Sequence, residues 1–232
     1  MKLCINNAFY KAVIFDFNGV LLLDSPWHEE AWSSTIQEMS SRIWAPEEIS
    51  HFVHGRTNRD IFCALLEREV DDQEIAALSE LKESKYRKIC SEKGAEFSLP
   101  PRVPELLSTL KEAEIPIAIA TASGEKNVHF FYEALSLDRW FDWNHIVYDD
   151  GIIPGKPEPD IYIKAAARLG IEPNITVVIE DSIAGIQSAR NAGIGHIVAT
   201  GTMLLPSGPN SKLFDTRLEM VGDFLHFFSL SD

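Results

Sequence analysis

Short apolar runs that end on polar residues recur along this chain and alternate with stretches of helical periodicity. The first run, Ala12-Val13-Ile14-Phe15, stops on Asp16 and is followed by Phe17-Asn18-Gly19-Val20. An unbroken apolar run of this length predicts a strand buried on both faces, as in the centre of a parallel sheet. From about residue 26 to 94 the pattern changes, becoming polar and poor in β-branched runs. Pro26 sits like a first-turn proline, and Trp27, Ala31, Trp32 and Ile36 then recur at helical spacing. Further helices are predicted from about Pro46, from Thr57 or Asn58 as N-cap, and over about 72–92 with a stop at Lys93-Gly94. Strand–helix alternation resumes after Pro100-Pro101. It predicts helices over 103–113, 126–135, 160–169 and 182–192, and strands over 115–120, 143–148, 175–179 and 195–199. Such alternation implies an α/β fold, a Rossmann-like parallel sheet with helices on both faces. The helical block falls within the first crossover. The expected organisation is therefore a core of 1–25 and 95–232 with an inserted helical cap of 26–94.

Composition narrows the function. The 232 residues carry a formal net charge of −14, which repels nucleic acid and anionic membranes. Cys4, Cys63 and Cys90 are few and widely spaced, so neither a structural zinc site nor a disulfide framework is expected. No stretch approaches the apolar length of a membrane span, and no signal-peptide pattern opens the chain. A soluble, cytoplasmic protein without nucleic-acid or membrane partners is the expectation, as a monomer or weak homodimer.

Three predicted strands end on residues of complementary chemistry. Asp16 follows the first, and Thr121-Ala122-Ser123-Gly124 follows the second, leading into a helix N-terminus suited to anions. Glu180-Asp181-Ser182 follows Val177-Val178-Ile179, and Lys156 stands between Gly155 and Pro157. A parallel sheet brings all these positions to its carboxyl edge, where open α/β sheets bind ligands. Carboxylates from two strands can hold a hard divalent cation, and Thr121 and Lys156 can take the oxygens of an anion. The set points to phosphoryl transfer, in which positioning and charge stabilisation do most of the catalysis.

On these residues the chain resembles the haloacid dehalogenase-like superfamily, in its β-phosphoglucomutase-like branch of phosphatases and phosphomutases. Phe15-Asp16-Phe17-Asn18-Gly19-Val20 with Asp24-Ser25, then Thr121, Lys156-Pro157-Glu158-Pro159-Asp160 and Glu180-Asp181-Ser182-Ile183-Ala184-Gly185-Ile186, match its four motifs in order. The resemblance implies that Asp16 attacks phosphorus to form an aspartyl-phosphate. It implies Mg²⁺ held by Asp16, the backbone carbonyl at Asn18, and Glu180 with Asp181. The expected reaction is hydrolysis of a small phosphorylated metabolite such as a sugar phosphate. A phosphomutase and an attenuated phosphometabolite-binding protein are the alternatives. One departure stands out: the family usually has a general acid–base aspartate where this chain has Asn18, and an amide neither takes nor gives a proton near neutral pH. The resemblance also marks His28, Arg56, Thr57 and Lys82 as cap residues that meet substrate. Taken alone, His28 reads as a helix-face histidine and Lys82 as a solvated lysine that pairs with Glu83. Trp27, Trp32, Trp140 and Trp143 are expected in packing, and Phe224, Leu225, Phe227 and Phe228 are expected to bury a last helix.

Overall fold

The computed structural model describes residues 1–40, 44–53, 58–201 and 213–231. Two compact units emerge: Met1–Leu23 with Ser98–Asp232, and Asp24–Phe97.

The first unit opens with β1 (Lys2–Ile5) and β2 (Ala8–Tyr10), joined at Asn6 and Asn7 with φ of 50° and 63°. Asparagine tolerates these left-handed angles, and two in succession match the twist of a tight hairpin. The main sheet comprises β3 (Ala12–Phe15), β4 (Ile117–Gly124), β5 (Ile146–Asp149), β6 (Thr176–Glu180), β7 (His196–Thr200) and β8 (Thr216–Leu218). Its order is β5-β4-β3-β6-β7-β8, and every pairing is parallel. β3 thus has β4 on one side and β6 on the other, which makes its carboxyl end a topological switch point. All four residues of β3 are buried, as its apolar run predicts.

Side chains alternate across the pleat. Ile14, Ala118, Ala120, Val178, Ile197 and Ala199 pack against Ile161, Tyr162, Ala165 and Ala166 of one helix and Ile186 and Ala189 of another. Phe15, one residue on from Ile14, meets Phe141 edge-on instead, and Phe17 stacks on Phe131 at 4.5 Å between ring centroids.

The helical unit contains α1 (Ser25–Met39), α2 (Pro46–Val53), α3 (Asn58–Leu66) and α4 (Asp72–Glu92). Trp32, Ile36, Ile49, Ile61 and Phe62 form its apolar core. Asp71 caps α4, its carboxylate accepting from the Glu74 backbone N–H at 2.9 Å. The remaining helices, in the first unit, are α5 (Val103–Glu112), α6 (Glu125–Ala134), α7 (Asp160–Leu169) and α8 (Ile183–Asn191). No described helix is long and apolar enough to cross a membrane.

Several local expectations need correction. β4 starts at Ile117 rather than at 115, because Glu114 turns the chain with φ 54° and the Ile115 N–H returns to Leu110. Residues Trp143–His145 form a 3₁₀ turn, capped by the Asp142 carboxylate on the Asn144 N–H at 2.8 Å, and the strand begins only at Ile146. The C-terminal aromatic cluster is not an α-helix. Val221–His226 is a 3₁₀ helix that buries Phe224 completely, and the chain then returns as β9 (Ser229–Ser231) beside β1. Trp27 and Trp32 are buried, whereas Trp140 and Trp143 remain half-buried.

Thr200, at the end of β7, is buried and its hydroxyl has no hydrogen-bond partner among the described residues. An unsatisfied buried hydroxyl costs more than a methyl of the same shape. Thr200→Val is expected to raise stability by about 1 kcal/mol. Denaturant unfolding checks this, and a loss of stability would show that the hydroxyl is satisfied.

Candidate active site

The carboxyl ends of β3, β4 and β6 converge. Asp16 is fixed by its own N–H, which donates to the Ile179 carbonyl at 3.0 Å, so adjacent strands set the position of the acid. Lys156 reaches in from the loop before α7. Its Nζ lies 2.6 Å from Asp16 Oδ1, 2.6 Å from Glu180 Oε1 and 3.4 Å from the Ala120 carbonyl. Asp16, Lys156 and Glu180 are all nearly inaccessible to solvent, with side-chain exposures of 8%, 8% and 0%. A bare charge at such depth costs several kcal/mol, so these groups survive ionised only by meeting one another.

Glu180 accepts five hydrogen bonds. Lys156 and the Tyr162 hydroxyl (3.0 Å) donate to Oε1; the Asp181 N–H, Ser182 N–H and Ser182 hydroxyl donate to Oε2. Burial pushes its carboxyl up, but Lys156 and Ser182 more than offset that and hold it below its usual value. Lys156 is shifted well above the ordinary lysine value, since Asp16 and Glu180 overcome the burial that opposes its charge. Asp16 fares differently. Burial pushes it up to about 7, with Lys156 pulling it down and Glu180 pushing it up. Asp181 is raised to about 8, first by burial and then by the charges of Glu180 and Asp16.

Burial is the largest cause of the two raised carboxyls, and crowding of like charge adds to it. Asp16, Glu180 and Asp181 offer oxygen atoms all within 4.8 Å of one another, against one ammonium. The two negative charges left over match a divalent cation. An all-oxygen donor set suits a hard one such as Mg²⁺. The residues fit the metal that the sequence implies.

On the other side of Asp16, Asn18 Oδ1 accepts from the Ser123 hydroxyl at 2.7 Å and from the Thr121 hydroxyl at 3.4 Å. The Ser123 N–H donates to Thr121 Oγ1 at 3.1 Å, which orients that hydroxyl. Two glycines keep the site open. A Cβ on Gly19, whose φ is +82°, would lie 2.0 Å from Asp181 Oδ2, and one on Gly185 would lie 1.6 Å from Glu180 Oε1.

The sequence-derived residues therefore fall into three groups. Asp16, Asn18, Thr121, Lys156, Glu180 and Asp181 meet at one edge of the sheet. His28 and Lys82 meet each other in the helical unit, where Lys82 is buried rather than solvated. Its ammonium donates to His28 Nδ1 at 2.8 Å and to Glu83 at 2.9 Å. His28 Nε2 faces Asp24 at 3.3 Å, and the ring stacks on Tyr86, whose hydroxyl also bonds Asp24. Arg56 and Thr57 lie outside the described residues. Tyr162 was not singled out by the sequence, and Ser123 entered only as part of the Thr121-Ala122-Ser123-Gly124 stretch. Tyr162 had a usable signal: a phenol on the inward face of an amphipathic helix needs a polar partner.

The haloacid dehalogenase-like hydrolase family model matches residues 10–193, and the chain belongs to that family. A phosphorylated carbohydrates phosphatase of Thermotoga maritima is 31% identical over 205 residues, covering 85% of this chain and 91% of that protein. A β-phosphoglucomutase of Bacillus subtilis is 29% identical over 189 residues, covering 79% of this chain and 80% of the other. The crystal structure of a family IA, variant 3 hydrolase from Entamoeba histolytica superposes with a TM-score of 0.85 at 31% identity, covering 92% and 94% of the two chains. The chain is an enzyme of this hydrolase family, with phosphatases among its relatives.

Gly185 lies in the first turn of α8, where alanine would ordinarily favour the helix by about 1 kcal/mol. Here the methyl would collide with a carboxylate held by five donors. Steric cost wins, and Gly185→Ala is expected to destabilise by about 1–3 kcal/mol. Calorimetry of the variant checks this; a stabilised variant would contradict the geometry.

Proposed function

We propose that this enzyme is a Mg²⁺-dependent phosphatase acting on a small phosphorylated metabolite, a phosphorylated carbohydrate, through an aspartyl-phosphate on Asp16. The observation that carries the reading is the buried trio of Asp16, Lys156 and Glu180 with Asp181 beside it. The phosphatase and phosphomutase relatives support the substrate class.

Mg²⁺ would be held by Asp16, Asp181, the backbone carbonyl of Asn18 and Glu180. Glu180 contributes mainly charge, because five donors already engage its oxygens. With the ion bound, phosphoryl oxygens would be neutralised and the carboxylates kept ionised. A carboxylate oxygen of Asp16 attacks phosphorus. Lys156 and the Thr121 hydroxyl bind the non-bridging oxygens and offset charge as it builds in the transition state. Ser123 fixes the Thr121 hydroxyl through its N–H. Water then attacks phosphorus, releasing phosphate and regenerating Asp16.

Asp16→Asn is expected to lower Mg²⁺-dependent turnover of p-nitrophenyl phosphate to background, while Mg²⁺ removal by chelation does the same to the unmodified enzyme. Turnover in Asp16→Asn equal to that of the unmodified chain would remove Asp16 as nucleophile.

Metal binding also carries a pH signature. Asp16 and Asp181 have folded-state values raised to about 7 and 8. Groups raised above their unfolded values contribute stability that is complete below the unfolded values, near 4, and lost as pH rises through the folded ones. The metal-free protein therefore loses this contribution between about pH 4 and 8. Mg²⁺ binds the ionised carboxylates, so its gain in Tm is expected to be larger at pH 8 than at pH 6. Thermal scans at fixed Mg²⁺ measure it; an equal or smaller gain at pH 8 contradicts the assignment.

A further inference from the structure

Departure of an ordinary alcohol from phosphorus calls for a proton on the leaving oxygen, since a free alkoxide is a strong base. The described side chains around Asp16 are poorly supplied with one. Asn18 presents an amide, with its Oδ1 turned to the Ser123 and Thr121 hydroxyls. Amides and aliphatic hydroxyls do not give up a proton near neutral pH. Lys156 points its three ammonium donors at Asp16, Glu180 and the Ala120 carbonyl. The Tyr162 hydroxyl is buried and donates to Glu180. Asp16 is committed to attack, and Asp181 and Glu180 to the cation. Among the described side chains of the helical unit, the one best suited to proton transfer is His28. Lys82 can only donate, so His28 Nδ1 accepts from it and the ring proton sits on Nε2, facing Asp24. Both ring nitrogens are thus engaged within that unit.

Resting on the phosphatase reading above, we infer that this enzyme selects phosphate carried on an oxygen acidic enough to leave without a proton. Acyl phosphates, aryl phosphates and phosphoanhydrides belong to this class. Among phosphorylated carbohydrates, phosphate on the anomeric oxygen is preferred to phosphate on a primary alcohol, because a hemiacetal oxygen is the better leaving group. In the step concerned, an Asp16 oxygen forms a bond to phosphorus while the bond from phosphorus to the leaving oxygen breaks. The electron pair goes to that oxygen, which departs as an anion and takes its proton, if any, from solvent afterwards. In the second step water adds to phosphorus, the bond to Asp16 breaks with its electron pair on the carboxylate, and the water proton passes to solvent.

The test is a leaving-group series read as kcat/KM, which reports the first step. Acetyl phosphate and p-nitrophenyl phosphate represent acidic leaving groups, and glycerol 3-phosphate and glucose 6-phosphate represent alcohols, with glucose 1-phosphate between them. In the unmodified chain, kcat/KM is expected to fall by about 10²-fold or more from acetyl phosphate to glycerol 3-phosphate, the lower part of what general acid help is worth. Asn18→Asp places a carboxyl beside the leaving oxygen and is expected to shrink that gap by about 10-fold or more, chiefly by raising the alcohol phosphates. Asn18→Ala, which supplies no proton, leaves the gap as it is. Comparable kcat/KM for both classes in the unmodified chain overturns the inference, whether or not the variants fold, as does a gap that Asn18→Asp leaves unchanged. If such a flat series remains dependent on Asp16, only the selectivity fails. If acetyl phosphate is turned over equally by Asp16→Asn, the phosphatase reading falls, and this inference with it.

Discussion

The ammonium of Lys156, held 2.6 Å from both Asp16 and Glu180, is the contact on which the rest of this site depends. Two carboxylates at that depth repel each other and resist leaving water, and one cation between them offsets both costs. The bond from Glu180 outward is equally constrained. Its second oxygen takes the N–H groups of Asp181 and Ser182, so the same carboxylate that anchors Lys156 also shapes the start of α8. Removing either charge would strand the other, which ties the loop before α7, the end of β3 and the end of β6 into one electrostatic unit.

Sheet topology makes that unit possible. Placing β3 between β4 and β6 brings Asp16, Thr121 and Glu180 to neighbouring strand ends although they are far apart in sequence. The glycines finish the arrangement. Gly19 and Gly185 are needed less for flexibility than for the absence of a Cβ, because each leaves the space that an acidic side chain occupies. Charge excess then gives the site its chemistry. One ammonium among three carboxylates leaves room for a divalent cation, and the raised values of Asp16 and Asp181 reflect their burial first and this crowding of charge second.

Much of this was legible in the sequence, for identifiable reasons. The apolar run of β3 and the acids after β3 and β6 carry their own signal, since buried parallel strands read as continuous apolar segments and functional residues follow them. Residues with indirect roles were harder to see. Tyr162 falls in a helix whose periodicity explains it as core, and its hydrogen bond to Glu180 depends on a partner 18 positions away. The burial of Lys82 follows from Trp32 and Tyr86, whose rings lie 5.4 Å from its Nζ, and local charge pattern suggests the opposite. The β1–β2–β9 sheet was missed because its strands have three or four residues and its third member comes from the other end of the chain. The C-terminal aromatics misled in another way, since spacing that suits an α-helix also serves a 3₁₀ turn that buries one ring.

In the mechanism we propose, Asp16 carries the phosphoryl group between substrate and water. Its most direct test is a rapid acid quench of the enzyme turning over p-nitrophenyl phosphate with Mg²⁺, followed by peptide mass mapping. One acid-stable, hydroxylamine-labile phosphoryl group is expected, on the peptide containing Asp16 and at that residue. A quenched enzyme that turns over substrate yet carries no phosphoryl group, or carries it elsewhere, would contradict it.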